Sequence, residues 1–131
     1  MAERSIDREK IIAELSHEIL DTSQVSDILG NSKDFPMTLI ENLSIETALK
    51  YWNEQLSYEA ADYVMNNLYS FWVNNEYFLQ TYPFTDVAWE CFQAFDAGEY
   101  YRANEDKGVS PDIKYTRPLI EDFLRKRMLI V

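Results

Sequence analysis

The chain has 131 residues, of which 47% are hydrophobic, 15% aromatic and 27% charged, and its formal net charge is −11. This length suits one domain, and this composition is typical of a folded protein rather than of a disordered one. The negative charge disfavours nucleic acid and anionic membranes as partners and favours a basic protein surface, unless acidity serves solubility alone.

The N-terminal region is predicted to hold one amphipathic helix followed by a weaker signal. Leu15 and Ile19 belong to an apolar series that recurs at helical spacing between charges, which predicts a helix over residues 6–21. One short helical turn is expected before Gly30, which would stop it, and residues 33–36 are expected to form a loop.

Two further helices are predicted in the middle of the chain, each starting at a serine. Ser44 is the candidate N-cap of a helix that runs to Leu56, and Ser57 is the candidate N-cap of a helix that ends near Asn74. A two-turn continuation through Leu79 stays open. Both helices have a core-facing stripe, formed by Ile45, Ala48, Leu49, Trp52 and Leu56 and then by Ala61, Val64, Met65, Leu68, Phe71 and Trp72.

The last third of the sequence predicts two more helices. Thr85 is the candidate N-cap of the first, with Phe84 and Trp89 spaced to form a hydrophobic staple, and this helix is expected to end near Gly98. Residues 101–110 are the most polar stretch and are predicted to form an exposed loop. The buried stripes of the two helices are expected to be Ala88, Cys91, Phe92 and Phe95, and then Leu119, Ile120, Phe123 and Leu124.

These elements predict an all-α protein, a single compact bundle of about five helices, with residues 1–131 forming one helical domain. The three glycines and four prolines are too few for the many short strands of a sandwich or barrel. Residues 1–8 lack the apolar run of a secretory signal, and the longest uncharged aromatic segment is too short to span a membrane. We therefore expect a cytoplasmic location.

No catalytic or metal-binding motif can be assembled from the sequence. Glu14 and His17 have the Glu-x-x-His spacing of di-iron bundles, but such sites need a second histidine and His17 is the only one. Cys91 is the only cysteine and falls on an apolar stripe, where burial would make it inert. We therefore predict no catalytic residue, no metal and no cofactor, although chemistry that uses carboxylates alone stays open.

The sequence feature that most clearly indicates a function is a long segment without lysine or arginine. Lys50 and Arg102 bracket residues 51–101, which hold eight carboxylates, no lysine or arginine, and sixteen of the 19 aromatic residues. Part of this aromatic content belongs to the buried stripes. Seven tyrosines fall largely off them, and tyrosine is enriched where proteins bind one another.

Carboxylates and tyrosines on a shared face would steer and hold a basic partner. Glu59 and Asp62 lie three residues apart and Asp86 and Glu90 lie four apart, so each pair shares a helix face. A solvated face with half-buried tyrosines is the alternative. The predicted partner-binding residues are Glu59, Asp62, Tyr63, Tyr69, Asp86, Glu90, Asp96, Glu99, Tyr100 and Tyr101.

Residues 57–127 resemble the small acidic helical toxin-immunity proteins of the colicin D immunity type. The resemblance lies in aromatic-rich helices, the Phe95-Asp96-Ala97-Gly98-Glu99-Tyr100-Tyr101-Arg102 segment, an acidic loop, and a closing Leu119-Ile120-Glu121-Asp122-Phe123-Leu124 helix. It implies a protein that blocks a tRNA-cleaving toxin domain by presenting carboxylates where RNA phosphates would lie.

The leading hypothesis from the sequence is a non-catalytic acidic binding protein, an immunity or antitoxin-like inhibitor of a basic nuclease toxin. Three alternatives stay open. The tyrosine surface could join two copies in a structural homodimer, the helices could enclose a small-ligand or regulatory site, or a carboxylate pair could catalyse a reaction.

Overall fold

The computed structural model describes residues 8–29, 39–74, 76–81, 84–102 and 108–130. These ranges contain helices and no strand, which confirms the all-helical fold class. In chain order the helices are α1 (Arg8–Leu15), α2 (Thr22–Leu29), α3 (Leu39–Trp52), α4 (Tyr58–Asn74), α5 (Glu76–Thr81), α6 (Asp86–Asp96) and α7 (Arg117–Arg125), with a π-helical turn (Asp112–Thr116) leading into α7.

The prediction of about five helices is close to this arrangement, and the short helices α2 and α5 account for the difference. α5 corresponds to the continuation through Leu79 that the sequence left open. The predicted loop over residues 33–36 lies outside the described residues, as do Gly30 and residues 103–107 of the predicted loop over 101–110.

The helices enclose a shared hydrophobic core. α3, α4 and α6 pack against one another at its centre, α7 covers α3 and α6, and α1 and α2 lie against α4. The largest fully buried side chains come from α1, α2, α3, α4, α6 and α7, and include Leu15, Leu43, Phe71, Phe95 and Phe123. None of the described helices combines the length and the apolar composition that crossing a bilayer requires.

The first helix is shorter than the predicted range 6–21, because a buried asparagine from α4 organises a turn after it. The Asn67 side-chain amide donates to the carbonyls of Leu15 at 3.0 Å and Glu18 at 2.9 Å. Its side-chain oxygen accepts from the Leu20 amide N–H at 2.8 Å. These three bonds satisfy a fully buried polar side chain and fix the path of the chain from α1 to α2.

The prediction that Ser44 caps a helix is wrong, because α3 begins at Leu39 and Ser44 lies inside it. The Ser44 hydroxyl is buried and donates to the Ile40 carbonyl at 2.8 Å. Thr47 makes the equivalent bond to Leu43 at 2.7 Å. A serine that bonds back to the carbonyl four residues earlier can sit in a buried helix interior, and sequence alone does not separate this from capping.

The other two predicted caps are confirmed. The Ser57 hydroxyl accepts a hydrogen bond from the backbone N–H three residues later at 3.1 Å, and Thr85 does the same at 3.3 Å. The rings of Phe84 and Trp89 lie 6.3 Å apart, edge to face, as the predicted staple requires. The start of α6 is thus set by residues that are adjacent in sequence.

Two residues predicted to face the core are exposed. Ile19 is 58% exposed because α1 ends before it, and Leu119 is 47% exposed. α7 buries Ile120, Phe123 and Leu124, which share the i, i+3, i+4 stripe, and Leu119 lies at the edge of that stripe.

Candidate functional site

The strongest candidate site lies along the contact between α4 and α6. These helices run antiparallel: Asp62, near the start of α4, meets Glu99 beyond the end of α6. At the opposite end, the ring of Trp72 on α4 lies 5.3 Å from the ring of Phe84, just before α6. Residues from both helices therefore form one continuous strip of surface.

Helical periodicity places acidic and aromatic residues on the same side of this strip. On α4, Tyr69 follows Asp62 by seven residues, and on α6, Asp96 follows Trp89 by seven, so each pair shares a face. We name this surface the α4–α6 face. Its members are Asp62, Tyr69 and Trp72 on α4, Phe84, Trp89, Phe92 and Asp96 on or next to α6, and Glu99 after it.

The acidic end of the face brings together three carboxyl groups that the sequence predicted separately. Burial raises the pKa of Asp62 to about 7, and the negative charges of Glu99 and Asp96 add to this effect. The pKa of Glu99 is also raised, by burial and then by Asp96. Asn66 donates into this group and partly opposes the effect. The cluster therefore retains a proton near neutral pH and can share it between carboxyl groups.

No lysine or arginine of the described ranges forms an ion pair with Asp62, Asp96 or Glu99. Asp96 and Glu99 also lie at the C-terminal end of α6, where the partial negative charge of the helix disfavours carboxylates. Folding thus holds Asp62 and Glu99 where burial and neighbouring negative charge raise the pKa of each carboxyl group. Such an arrangement is typical of a functional site rather than of a stabilising one.

Two hydrogen bonds from other parts of the chain fix the end of α6. The Tyr58 hydroxyl donates to the Phe95 carbonyl at 2.6 Å, and the buried Thr116 hydroxyl donates to the Ala94 carbonyl at 2.7 Å. Gly98 follows closely, and a Cβ there would lie 2.3 Å from Thr116 Oγ1. The backbone that carries Asp96 and Glu99 is therefore held in place from two sides.

Arg102, the residue that ends the cation-free stretch, also holds this end of α6. Its guanidinium lies 3.6 Å from the ring centroid of Tyr115 and 4.7 Å from that of Tyr100. It donates to the Ala97 carbonyl at 2.6 Å. The two predicted partner residues Tyr100 and Tyr101 are 59% and 38% exposed beside it, which leaves both rings accessible.

The other end of the face is an aromatic cluster. Tyr69 stacks on Phe92 with ring centroids 4.5 Å apart, and Phe92 stacks on Trp89 at 5.7 Å. Phe84 contacts Tyr69 at 5.5 Å and Trp72 at 5.3 Å. Trp89 is 40% exposed. Trp72 and Phe92, which the sequence predicted to face the core, are partly buried and pack against it, and each also contributes its ring to this cluster.

Glu90 is a predicted partner residue that already has partners within the chain. Its carboxylate accepts hydrogen bonds from Lys126 and Arg127, the latter at 2.8 Å. Burial alone would raise the pKa of Glu90, but these two cations hold it below its usual value. Asp86, predicted to share a face with Glu90, is exposed in the first turn of α6, where a carboxylate favours the helix.

Glu59 and Tyr63 form a pair on α4 next to Asp62. The Tyr63 hydroxyl donates to Glu59 Oε1 at 3.1 Å, and this bond is the main cause of the raised pKa of Tyr63. The structure therefore groups Asp62, Asp96 and Glu99 with Tyr69 on one face and keeps the Glu59–Tyr63 pair beside it. Glu90 instead forms ion pairs with Lys126 and Arg127 at the end of α7.

The residues considered for metal or nucleophilic chemistry lie apart. His17 is exposed and follows the end of α1, so Glu14 and His17 do not share a continuous helix. Cys91 is fully buried, its Sγ lies 3.4 Å from the Ser44 carbonyl, and burial raises its pKa. Within the described ranges, no group of three or more histidine, cysteine or acidic residues has the arrangement needed to hold a metal ion.

Comparison of the chain with protein-family models, with curated proteins and with solved structures gives no match.

Proposed function

We propose that this protein is a non-catalytic acidic binding protein that inhibits a basic nuclease toxin, as an immunity protein does, in the cytoplasm. The observation that carries the proposal is the α4–α6 face, in which carboxyl groups that pair with no cation of the described residues lie beside an exposed aromatic cluster. Its binding residues are Asp62, Tyr69, Asp96 and Glu99, with Glu59, Tyr63, Tyr100 and Tyr101 at its edges.

The acidic end supplies the electrostatic part of recognition. A nuclease binds RNA or DNA through lysines and arginines, and carboxylates can occupy the same positions as the phosphates. Asp62, Asp96 and Glu99 come from two helices whose backbones are fixed by hydrogen bonds, so their spacing is set before the partner arrives. Like-charge repulsion within the cluster falls when a partner cation enters it, which adds to the driving force for binding.

The aromatic end supplies contact area. Large rigid rings such as Trp89 and Tyr69 bury apolar surface with little loss of side-chain entropy, and such residues dominate the binding energy of many interfaces. Because this cluster adjoins the carboxyl groups, one partner could contact both. Charge would then set the rate and orientation of docking, and the rings would hold the complex.

The experiment compares two variants of equal net charge. The triple variant Asp62→Asn, Asp96→Asn, Glu99→Gln removes the acidic end of the face. The control variant Glu14→Gln, Asp27→Asn, Asp122→Asn removes three exposed carboxylates from α1, α2 and α7. Each protein is immobilised and exposed to lysate of the source organism, washed at low and at high salt, and the captured proteins are identified and assayed for RNA and DNA cleavage.

The wild-type and control proteins are expected to retain a basic nuclease and inhibit its cleavage activity, whereas the triple variant should lose both properties. High salt should weaken capture by the wild type, because the contact is largely ionic. Recovery of no basic protein or nuclease would contradict the proposal. Equal capture by the two variants would show that net charge, and not this face, attracts the partner.

The aromatic cluster favours a second candidate function, a homodimeric structural or regulatory protein. Trp89 at 40%, Leu79 at 45% and Val73 at 37% exposure lie on α6, α5 and the end of α4. A second copy could cover this apolar area. Light scattering separates the two candidate functions, because a homodimer would have twice the monomer mass. The Trp89→Ser variant of such a homodimer should have the mass of a monomer.

A further inference from the structure

A separate pocket lies at the junction between the end of α3, the start of α4 and the π-helical turn. Its volume is about 340 Å³, which falls within the range of small-molecule sites. It adjoins the acidic end of the α4–α6 face, because Tyr58 of its lining lies close to Asp62, Asp96 and Glu99. Its lining residues are Tyr51, Glu54, Gln55, Leu56, Ser57, Tyr58, Asp112, Ile113 and Arg117.

Tyr51 contributes a buried hydroxyl that has no hydrogen bond of good geometry among the described residues, and the Arg117 guanidinium is the group that lies within reach of it. The residue is only 5% exposed, and its ring is held edge to face against Phe95 at 5.2 Å and Tyr58 at 6.4 Å. Burial raises the pKa of Tyr51, Asp112 raises it further, and Arg117 acts in the opposite direction. A buried hydroxyl without such a hydrogen bond is costly and rare, so its presence beside a pocket points to a missing ligand group.

Arg117 contributes a guanidinium whose hydrogen-bonding capacity is mostly unused. It lies 4.5 Å from the ring centroid of Trp52 and 5.9 Å from that of Tyr51. It donates a long hydrogen bond, at 3.4 Å, to the Trp52 carbonyl and lies within reach of the Tyr51 hydroxyl. Among the described residues no carboxylate pairs with it, although the chain is strongly acidic. A stacked arginine with four remaining donors is suited to binding a ligand carboxylate.

The charged residues of the pocket indicate which other groups a ligand should carry besides a carboxylate. Asp112 and Glu54 add two negative charges to the single positive charge of Arg117, so a doubly charged anion such as phosphate would be repelled. A ligand amine would be attracted to these two carboxylates. Leu56, Ile113 and the Tyr58 ring offer apolar surface for a side chain.

We infer that this pocket binds a small zwitterion of the amino-acid class. The ligand carboxylate accepts hydrogen bonds from Arg117 and from the Tyr51 hydroxyl. The ligand ammonium group lies towards Asp112 and Glu54, and an apolar side chain lies against Leu56 and Ile113. Because its bond to Trp52 is long, the Arg117 guanidinium can donate to the ligand carboxylate while it stays stacked beside the Tyr51 hydroxyl. The inference does not rest on the proposed nuclease inhibition, although Tyr58 belongs both to this pocket and to the contacts that hold the end of α6.

The experiment titrates the full chain with leucine, phenylalanine and tryptophan, and follows binding by calorimetry and by the NMR signal of the Trp52 indole. Two analogues accompany each amino acid: the methyl ester lacks the carboxylate and the N-acetyl derivative lacks the ammonium group. Each compound is taken to about 10 mM, at which a ligand of millimolar Kd would be mostly bound.

At least one of the free amino acids is expected to bind saturably, and its ester and its N-acetyl form should bind about tenfold more weakly or not at all. Arg117→Gln and Tyr51→Phe should each weaken binding about tenfold, whereas Arg125→Gln, on the same helix outside the pocket, should not. Tyr51→Phe should leave the Tm unchanged or raised, which separates loss of a ligand contact from loss of a structural one.

Three results would overturn the inference. They are the absence of saturable binding by all three amino acids, equal affinity for an acid and its ester or N-acetyl form, and undiminished binding by Arg117→Gln.

Discussion

The carboxyl groups of Asp62 and Glu99 lie within hydrogen-bonding reach of each other across the end of the α4–α6 face. They come from α4 and from the segment that follows α6, so only the tertiary fold brings them together. With Asp96 beside them, the three groups repel one another whenever all are ionised. Both the stability of the protein and its affinity for a cation should therefore depend on pH.

Asp62→Asn should stabilise the protein at pH 8 and have little effect at pH 4. Burial and neighbouring charges raise the pKa of Asp62 to about 7, so between pH 4 and pH 7 the folded state keeps a proton that the unfolded state releases. Stability then falls as pH rises through this window. Asparagine mimics the protonated acid, so the gain at pH 8 should be about 1–2 kcal/mol after solvent screening. Denaturant unfolding at both pH values measures it.

Asp122→Asn is the matched control for that measurement, because it removes an exposed carboxylate from α7. Its effect should be small and should not grow across the same pH range. An equal gain from Asp62→Asn at pH 4 and pH 8 would show that Asp62 does not hold a proton in the folded state.

Binding of the basic partner should strengthen as pH rises from 6 to 8. A cation that enters the acidic end needs Asp62 ionised, so binding at pH 6.5 should release a proton from it. Calorimetry in two buffers of different ionisation enthalpy detects that proton. In the Asp62→Asn variant the release should disappear, and persistence of the same release would place the titrating group elsewhere.

Asn67→Ala should destabilise the protein by about 3 kcal/mol. It removes three hydrogen bonds at the turn between α1 and α2 and leaves two carbonyls and one amide N–H without their partner. Hydrogen exchange of the Leu20 amide should become faster in this variant, in addition to the decrease in the free energy of unfolding. Asn74→Ala, at an exposed position on the same helix, should cost less than about 0.5 kcal/mol, and similar costs for the two variants would contradict the role given to Asn67.

Glu54→Gly should be more stable than Glu54→Ala by about 1 kcal/mol. Glu54 follows α3 with φ of 61°, a left-handed conformation that glycine adopts without strain. Both variants remove the same carboxylate, so their difference isolates the backbone effect. Thermal unfolding of the pair measures it, and equal stability would mean that the backbone relaxes at this position in the alanine variant.

Gly98→Ala should destabilise the protein by about 1–3 kcal/mol, because its Cβ would meet Thr116 Oγ1 at 2.3 Å and the Asp112 backbone at 2.8 Å. The clash displaces the segment that carries Glu99, so partner affinity should fall as well. Ala97→Gly changes the neighbouring residue without adding a side chain and serves as the control. An unchanged Tm for Gly98→Ala would show that the π-helical turn can shift away.

Local signals in the sequence predicted the features that depend on adjacent residues. Thr85, Ser57 and the buried Cys91 follow from capping and periodicity, which act within a few positions of the chain. Ser44 was mistaken for a cap because serine serves both at helix ends and, through a bond to the carbonyl four residues back, inside buried helices. Leu39, Ile40 and Leu43 precede Ser44 and are buried in α3, so the helix starts before Ser44 and the serine lies in its interior.

The candidate site could be predicted only in part, because long-range contacts decide which carboxylates remain available. Asp86 and Glu90 looked equivalent to Glu59 and Asp62 in spacing. Glu90 instead forms ion pairs with Lys126 and Arg127, which follow α7. No pattern in the sequence near Glu90 predicts these ion pairs.

The convergence of Asp62 with Asp96 and Glu99 likewise depends on how α4 crosses α6. The pocket around Arg117 escaped sequence reasoning for the same reason, since its residues come from three separate segments.

The hydrogen bonds that hold the end of α6 have a consequence for the thermodynamics of association. Tyr58, Thr116 and Arg102 immobilise the backbone of the acidic end in the free protein. A partner therefore meets a surface already in its bound shape, and complex formation loses little conformational entropy on this side. Complex formation should accordingly show an entropy change dominated by released water and counterions rather than by ordering of the chain.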